Sequence, residues 1–257
     1  MNIFTLAVIS VSALIPSFFW LWIYRLQDKQ QPEPRSLIAR LFFAGILITV
    51  PAVFLEWVFI PSSFYQSYAS SLLNLLALVI LTAVIEEFLK FLVTKMICWK
   101  LCVFDQVIDG VIYSISVALG FALIENFLYF LPFVYSNQNL SNFTLALPFQ
   151  EIQTNFWAFF FLVFFSRFIF TTLMHTLSSG AMGLYLSKAR FDSKSSSKLM
   201  IKGLLWAIAF HSVFNFFALL NQVIFNFFIT IIFAIYFFIS IRKKEYLKIR
   251  LARKENF

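Results

Sequence analysis

Residues 71–94 read SLLNLLALVILTAVIEEFLKFLVT, an apolar run that carries two adjacent glutamates and a lysine toward its end. A run of about 20 such residues is long enough to cross roughly 30 Å of hydrocarbon as an α-helix. Because a charged side chain that faces lipid is costly, we expect Glu86, Glu87 and Lys90 to face the inside of a helix bundle. The stretch therefore predicts a membrane-spanning helix with one polar side.

The composition extends this prediction to the whole chain. Of 257 residues, 61% are hydrophobic, 20% are aromatic and only 12% are charged, a balance typical of an integral membrane protein. The alternation of an outer-membrane β-barrel is absent. No basic residue precedes the first apolar run and no small-residue cleavage pattern closes it, so we expect a retained first helix rather than a cleaved signal peptide.

The basic residues alternate along the chain. The net charge of +8 could suggest nucleic-acid binding, but its placement indicates membrane topology instead. Lys and Arg cluster at 25–40, 95–100, 188–202 and 242–254, whereas the connections near 61–70, 131–155 and 221 carry none. By the positive-inside rule this predicts seven spans, with the amino terminus outside and the carboxyl terminus in the cytoplasm. The predicted spans are roughly 3–24, 40–60, 71–94, 108–132, 156–187, 203–220 and 222–241.

We therefore predict an all-α, polytopic helix bundle that forms one integral membrane domain over residues 1–257. The fifth span is longer than a bilayer requires, so it should tilt or project into the cytoplasm. The stretch DKQQPEPRS (28–36) indicates a solvated turn, and the tight connection at Asn221 indicates a helical hairpin. Cys98 and Cys102 are too few for a metal site and are expected to be reduced thiols.

Ionisable residues at membrane depth are candidate functional residues. Glu86 and Glu87 lie four and three residues before Lys90, so both carboxylates can reach its ammonium on one side of the helix. An internal ion pair that fixes helix packing is the structural alternative. One lysine cannot neutralise two glutamates, however, which leaves a carboxylate free for a proton, a metal or a water.

Further polar residues lie on the later spans. Arg167, Thr171, His175 and Ser178 or Ser179 follow at three- and four-residue steps, which predicts a polar stripe on an otherwise aromatic helix. The small residues of SSGAMG (178–183) would allow close helix packing. His211 and Asn215 lie one turn apart, so their side chains should converge.

Two further glutamates need separate interpretations. Glu125, followed by Asn126, could be a packing or interfacial residue, and Glu56, near the outer end of its span, is expected to be interfacial. At about 1.5 Å per residue from the predicted cytoplasmic ends, Glu86, His175 and His211 lie roughly 12–18 Å deep, in one layer. Glu125 comes out at roughly 25 Å and does not join that layer.

A base, two histidines and an amide in one layer could activate a water and stabilise an oxyanion, as acyl-transfer hydrolysis requires. The same residues could relay protons or bind a cation. The chain has no His-Glu-x-x-His zinc motif, no Gly-x-Ser-x-Gly elbow and no phosphate-binding glycine loop.

Four motifs, taken together and in order, resemble those of the PrsW-type intramembrane proteases, relatives of the type II CAAX prenyl endopeptidases. EEFLK (86–90) resembles their Glu-Glu-x-x-Lys motif, and FALIE (121–125) resembles their Phe-x-x-x-Glu motif. HTLSSGAMGLYL (175–186) is similar to the segment around their isolated histidine, and HSVFN (211–215) to their final His-x-x-x-Asn element. The resemblance covers roughly residues 75–220, within a protease-like core predicted at about 71–220.

The resemblance implies cleavage of a peptide bond in or near a transmembrane segment, as in the processing of membrane-anchored anti-sigma factors. It implies that Glu86 is the general base, with Glu87 and Lys90 setting its charge state. His175 and Glu125 would position the water, His211 and Asn215 would stabilise the oxyanion, and Arg167 would support them. The prenyl-protease relatives have histidine where this chain has Glu125, which leaves the use of a metal open. We expect no cofactor, with zinc on His175, His211 and Glu86 as the alternative.

Two other function classes compete with the protease. A non-enzymatic transporter or an ion- or proton-coupled sensor could use the same polar cluster, although the broken helices and internal symmetry common among transporters are not evident. A degenerate relative could act as a scaffold or bacteriocin-immunity protein, but a scaffold could replace these polar residues with leucine and gain stability. We expect the partners to be a membrane-protein substrate and the lipid bilayer of a bacterial or archaeal cell, not nucleic acid.

Overall fold

The computed structural model describes residues 3–26, 32–67, 71–131, 156–192, 194–220, 222 and 224–239. These residues fold as helices and connections: α1 (Ile3–Arg25), α2 (Arg35–Phe59), the short α3 (Ser62–Ser67), α4 (Leu72–Cys98), α5 (Val107–Phe130), α6 (Phe156–Ser166), α7 (Thr172–Phe191), α8 (Ser196–Leu219) and α9 (Ile224–Ile239). A π-helical turn, Arg167–Thr171, joins α6 to α7 into one continuous span.

Six of the described helical spans are long and apolar enough to cross a membrane, and α9 is a shorter apolar helix. Large apolar side chains such as Trp57 and Leu73 are 77% exposed on the outside of the bundle, where lipid would cover them. The prediction of an all-α, multi-pass membrane protein is therefore confirmed. The orientation in the membrane stays a prediction.

Local sequence determines where the helices begin. Ser71 caps α4 by accepting a hydrogen bond from the Asn74 backbone N–H, at 3.4 Å. A capping box begins α5, in which the Asp109 carboxylate accepts from the backbone of Gln106 and, at 2.9 Å, from that of Asp105. These caps fix the register of the two helices that carry Glu86 and Glu125.

Helix α5 is the centre of the bundle and packs against α1, α2, α4 and α7. It approaches two of these neighbours through glycine. A methyl group on Gly45 or Gly120 would overlap the backbone of the facing helix in the α2–α5 pair, and one on Gly110 or Gly183 would do so in the α5–α7 pair. The predicted close packing around SSGAMG (178–183) is thus present, and it brings the polar face of α7 against the bundle interior.

The observed helices extend beyond the predicted spans at the basic ends. Helix α2 begins five residues earlier, at Arg35, α4 continues to Cys98, α7 continues to Phe191 and α8 begins at Ser196. Long basic side chains can reach water from the ends of a span, so charged residues do not end a helix as they end a hydropathy window.

Two connections bear on the predicted turns. The solvated turn at 28–36 is wrong for Glu33, which is 8% exposed and accepts a hydrogen bond from the Tyr113 hydroxyl. Asn221 lies outside the described residues, but the antiparallel hairpin is visible in its arms, since Phe210 stacks on Phe233 and Phe217 on Phe225. Both cysteines are free, with Cys98 buried and Cys102 exposed.

Candidate functional site

The charged side of α4 faces the bundle interior. Lys90 is fully buried, and its ammonium donates to Glu86 Oε2 at 3.0 Å, to Glu87 Oε1 at 3.1 Å and to His175 Nδ1 at 3.0 Å. It also lies 4.2 Å from the centre of the Phe121 ring, a cation–π distance. Three acceptors therefore match the three protons of one ammonium, and Lys90 links α4 to α7.

Both carboxylate oxygens of Glu87 accept hydrogen bonds. Its Oε1 accepts from Lys90 and from His211 Nδ1 at 2.9 Å, and its Oε2 accepts from the Ser179 hydroxyl at 3.1 Å. The Ser178 hydroxyl, 3.3 Å from Oε1, shares its proton with the His175 carbonyl oxygen at 3.1 Å. The side chain is fully buried. With donors from three helices, Glu87 is a fixed negative charge that organises its neighbours.

Glu86 differs from Glu87 although the two are adjacent in sequence. Its Oε2 accepts from Lys90, while its Oε1 has no hydrogen bond to any described residue. Its side chain is 8% exposed. Of the two adjacent carboxylates, Glu86 is therefore the one with an oxygen open to a water molecule.

The two histidines lie edge to face, with their ring centres 5.1 Å apart. Since the Lys90 ammonium donates to His175 Nδ1, the proton of His175 is on Nε2, which contacts Glu125 Oε2. Because Glu87 accepts from His211 Nδ1, the open nitrogen of His211 is Nε2, which has no bond to a described residue. His211 is thus the histidine that can meet a ligand.

Glu125 joins this cluster through His175, contrary to the depth estimate. Helices α4 and α7 end four residues later than predicted and α8 begins seven residues earlier, so all three are longer at their basic ends. Measured from the helix ends at Phe191 and Val107, His175 and Glu125 lie about 24 Å and about 27 Å along their helices. The mismatch arose because the predicted spans stopped short of the observed helix ends.

The π-helical turn holds Glu125 in place. It turns Arg167 so that its Nη2 donates to Glu125 at 2.8 Å and its Nε to Asn126 at 2.6 Å, with the guanidinium 4.1 Å from the Tyr129 ring. The turn inserts a residue into the helix, so the Thr172 hydroxyl bonds the Arg167 carbonyl and accepts from Asn126. The stripe predicted through Thr171 is thus wrong at that residue, and Thr172 takes its place.

Two residues remain at the edge of the cluster. Asn215 lies one turn after His211 on α8, is partly exposed, and has no hydrogen bond or ion pair among the described residues. Glu56 is partly buried in α2, within electrostatic range of Glu86 and Glu125, and its interfacial placement stays a prediction.

Glu86, Glu87, His175 and His211 could hold a metal ion, because they offer ligand atoms that all lie within 4.8 Å of one another. Two imidazoles and two carboxylates suit zinc by donor type. As arranged, however, the Lys90 ammonium lies among the donor atoms of three of these residues. A metal in that position would have to displace the ammonium.

Comparisons with known proteins agree with this picture. A family model described as PrsW family intramembrane metalloprotease matches residues 33–241. "Protease PrsW" of Geobacillus kaustophilus is 26% identical over 211 residues, which cover 82% of this chain and 80% of the relative. "Protease PrsW" of Bacillus subtilis is 27% identical over 214 residues, covering 81% and 79%. No solved structure gives a significant match.

Proposed function

Because the chain belongs to the PrsW family of intramembrane proteases, we propose that it hydrolyses a peptide bond in or near the transmembrane segment of another membrane protein, using a water activated by Glu86. One observation carries the assignment. Within the described cluster, the hydrogen bonds of Glu87 and Lys90 are complete, whereas Glu86 Oε1 and His211 Nε2 are open. The open pair offers a base and a second functional group on facing helices.

In the proposed reaction, Glu86 takes a proton from water as the water oxygen attacks the scissile carbonyl carbon. The C–N bond then breaks, and the protonated Glu86 returns the proton to the leaving nitrogen. General base catalysis of this kind contributes about 10²–10⁴-fold to the rate. The acid and base steps thus use the same carboxyl group.

The oxyanion of the tetrahedral intermediate needs donors. Since Glu87 keeps a proton on His211 Nδ1, a second proton on Nε2 would make His211 a donor to the oxyanion. The Asn215 amide, one turn further along α8, would supply a second donor as it carries two N–H protons. The roles of Lys90 and the Arg167–Glu125–His175 chain are to hold charge and orientation around Glu86.

The substrate class follows from the location of the site. Glu86, His175 and His211 lie inside spans apolar enough to cross a membrane, so a substrate reaches them from the bilayer. A helical segment hides its carbonyls in intrahelical hydrogen bonds and must unwind locally to be attacked. A single-span protein with a weak helix, such as a membrane-anchored anti-sigma factor, meets that requirement.

A metal would change the chemistry but use the same residues. Glu86, Glu87, His175 and His211 would hold it, and it would supply Lewis-acid polarisation of the carbonyl and a more acidic bound water. We favour the glutamate mechanism because the Lys90 ammonium already donates to three of the four residues that would hold the metal. Chelation separates the two mechanisms.

The test is cleavage of co-reconstituted single-span membrane proteins by purified protein in liposomes. We expect Glu86→Gln to lower cleavage by about 10²-fold or more, and His211→Ala to lower it comparably. Glu33→Gln, a change to a buried carboxylate remote from the cluster, is the matched control and should cleave normally. A chelator should leave the wild type active.

Three results of this cleavage assay would contradict the glutamate-protease proposal. Cleavage by Glu86→Gln at the wild-type rate would remove Glu86 from the mechanism, and loss on chelation would indicate a metalloprotease. If no substrate is cleaved but the wild type catalyses ion-dependent uptake into vesicles, the transporter alternative replaces the protease.

A further inference from the structure

Lys90 occupies the position that a metal ion would need. Its ammonium lies 3.0–3.1 Å from Glu86 Oε2, Glu87 Oε1 and His175 Nδ1, and these three residues belong to the four that could hold a metal. We infer that the Lys90 ammonium acts as a built-in cation that excludes divalent metals from the cluster, and that removing the amine converts the cluster into a metal site.

The exclusion follows from the lone pairs. Zinc binds carboxylate oxygen and imidazole nitrogen at about 2.0–2.2 Å through the lone pairs to which the Lys90 protons point. A metal bound through these three atoms therefore competes with the ammonium for them. Because both are cations in a site with little water, the two cannot occupy it together.

Moving the Lys90 ammonium out of the cluster would also be energetically costly. Lys90 is fully buried, and its ammonium lies over the Phe121 ring. Moving it aside would leave a charged group without its three acceptors in the bundle interior, which is strongly unfavourable. Metal binding to the wild type would have to meet that cost, whereas a neutral side chain at the same position would not impose it.

Replacing the amine should reverse the preference. Lys90→Met keeps a long, flexible side chain but leaves Glu86 and Glu87 without their cation, so the cluster gains a strong attraction for a divalent ion. Lys90→Gln provides a second neutral variant of different shape. Lys90→Arg retains the positive charge, and Lys95→Met removes a lysine that makes no contact with Glu86 or Glu87.

The experiment measures metal content directly. Full-length wild type and these four variants are purified in detergent, incubated with Zn²⁺ or Co²⁺, desalted and analysed by elemental mass spectrometry. We expect about one metal per chain in the two neutral Lys90 variants, as one four-residue site requires. Far less should remain in the wild type, Lys90→Arg and Lys95→Met. The cobalt forms of the neutral variants should show the visible bands of four-coordinate Co²⁺.

Adding His211→Ala to Lys90→Met should abolish the bands, which assigns the metal to this cluster. Should a neutral variant be unstable when metal-free, Zn²⁺ should raise its thermal unfolding temperature, because a ligand that binds only the folded state stabilises it. A wild type that holds one metal through His211 would overturn the inference. So would neutral variants that neither bind nor are stabilised by metal. Hydrolysis is not measured, so the glutamate mechanism can fail independently.

Discussion

At the scale of single residues, the cluster divides into atoms with complete hydrogen bonds and atoms that are open. Glu87 accepts hydrogen bonds from donors on α4, α7 and α8, and all three N–H groups of the Lys90 ammonium have acceptors. Among the described residues, Glu86 Oε1 and His211 Nε2 are cluster atoms that have no hydrogen bond. Two neighbouring glutamates therefore have different tasks, which spacing alone does not reveal.

This difference predicts unequal losses of stability for two matched substitutions. In Glu86→Gln the amide nitrogen can take the open Oε1 position, so we expect a loss of unfolding free energy of about 1 kcal/mol. In Glu87→Gln the amide nitrogen must face a donor at either position, so the loss should reach about 3 kcal/mol. Thermal unfolding of the two variants in the same detergent measures this difference. Equal losses would contradict the assignment of Glu87 as the saturated carboxylate.

At the scale of elements, the helices were predictable and their internal geometry was not. Hydropathy and the positive-inside pattern placed every described span, because burying apolar side chains in lipid depends on composition more than on detail. Thr171 was assigned to the polar stripe because an α-helical period was assumed. The π-helical turn shifts that register by one residue. Within the turn, the Phe168 carbonyl accepts a hydrogen bond from Trp20 on α1 at 3.0 Å, and the sequence around Phe168 does not indicate this contact.

The π-helical turn gives a prediction of its own. Deleting Ile169, which is 42% exposed, should restore an α-helical turn and rotate Arg167 by about 100° relative to α7. Glu125 would lose its partner, and cleavage should fall by about 10–100-fold, the range seen when a supporting residue is lost. The substitution Ile169→Ala, which keeps the turn, is the control. Arg167→Met should lower cleavage as much as the deletion does. A fully active Arg167→Met would show that the turn does not act through the Arg167–Glu125 pair.

At the scale of the whole molecule, the bundle is organised around α5. The four motifs, on α4, α5, α7 and α8, come together in one cluster, and their residues could be nominated from the sequence because ionisable groups are rare inside an apolar bundle. The hydrogen-bond and ion-pair partners of these residues could not be predicted from the sequence. The Arg167–Glu125 pair, the Glu33–Tyr113 contact and the position of Glu56 depend on helix rotations that hydropathy does not encode.

The glycine contacts of α5 should carry much of the bundle's stability. In Gly120→Ala the added methyl group meets the Phe42 carbonyl, so α2 and α5 must separate. We expect a loss of about 1–3 kcal/mol, typical of overpacking, measured by thermal unfolding in detergent. Leu47→Ala, on the exposed face of α2, should change stability little in the same assay. An unchanged Gly120→Ala would mean that the two helices can slide apart freely.

The predicted orientation can be tested on the native cysteines. Cys102 is exposed between α4 and α5, on the side predicted to be cytoplasmic, whereas Cys98 is buried. A membrane-impermeant maleimide should therefore leave intact cells unlabelled and label Cys102 in inverted vesicles, with Cys102→Ser as the control. Labelling in intact cells would invert the topology.

The glycine contacts also distinguish helices that pack closely from a helix that is held by larger side chains. Helices α2, α5 and α7 pack backbone to backbone at glycine, and Gly203 of α8 packs closely on Tyr185 of α7, whereas α4 contains no glycine. We expect a substrate helix to enter by shifting α4, and that shift would pull Lys90 from His175. The proposed hydrolytic centre would then be intact only while α4 is packed against the other helices. Substrate entry and peptide hydrolysis would then occur in different conformations, and the closed resting enzyme would not cleave membrane proteins that diffuse past it.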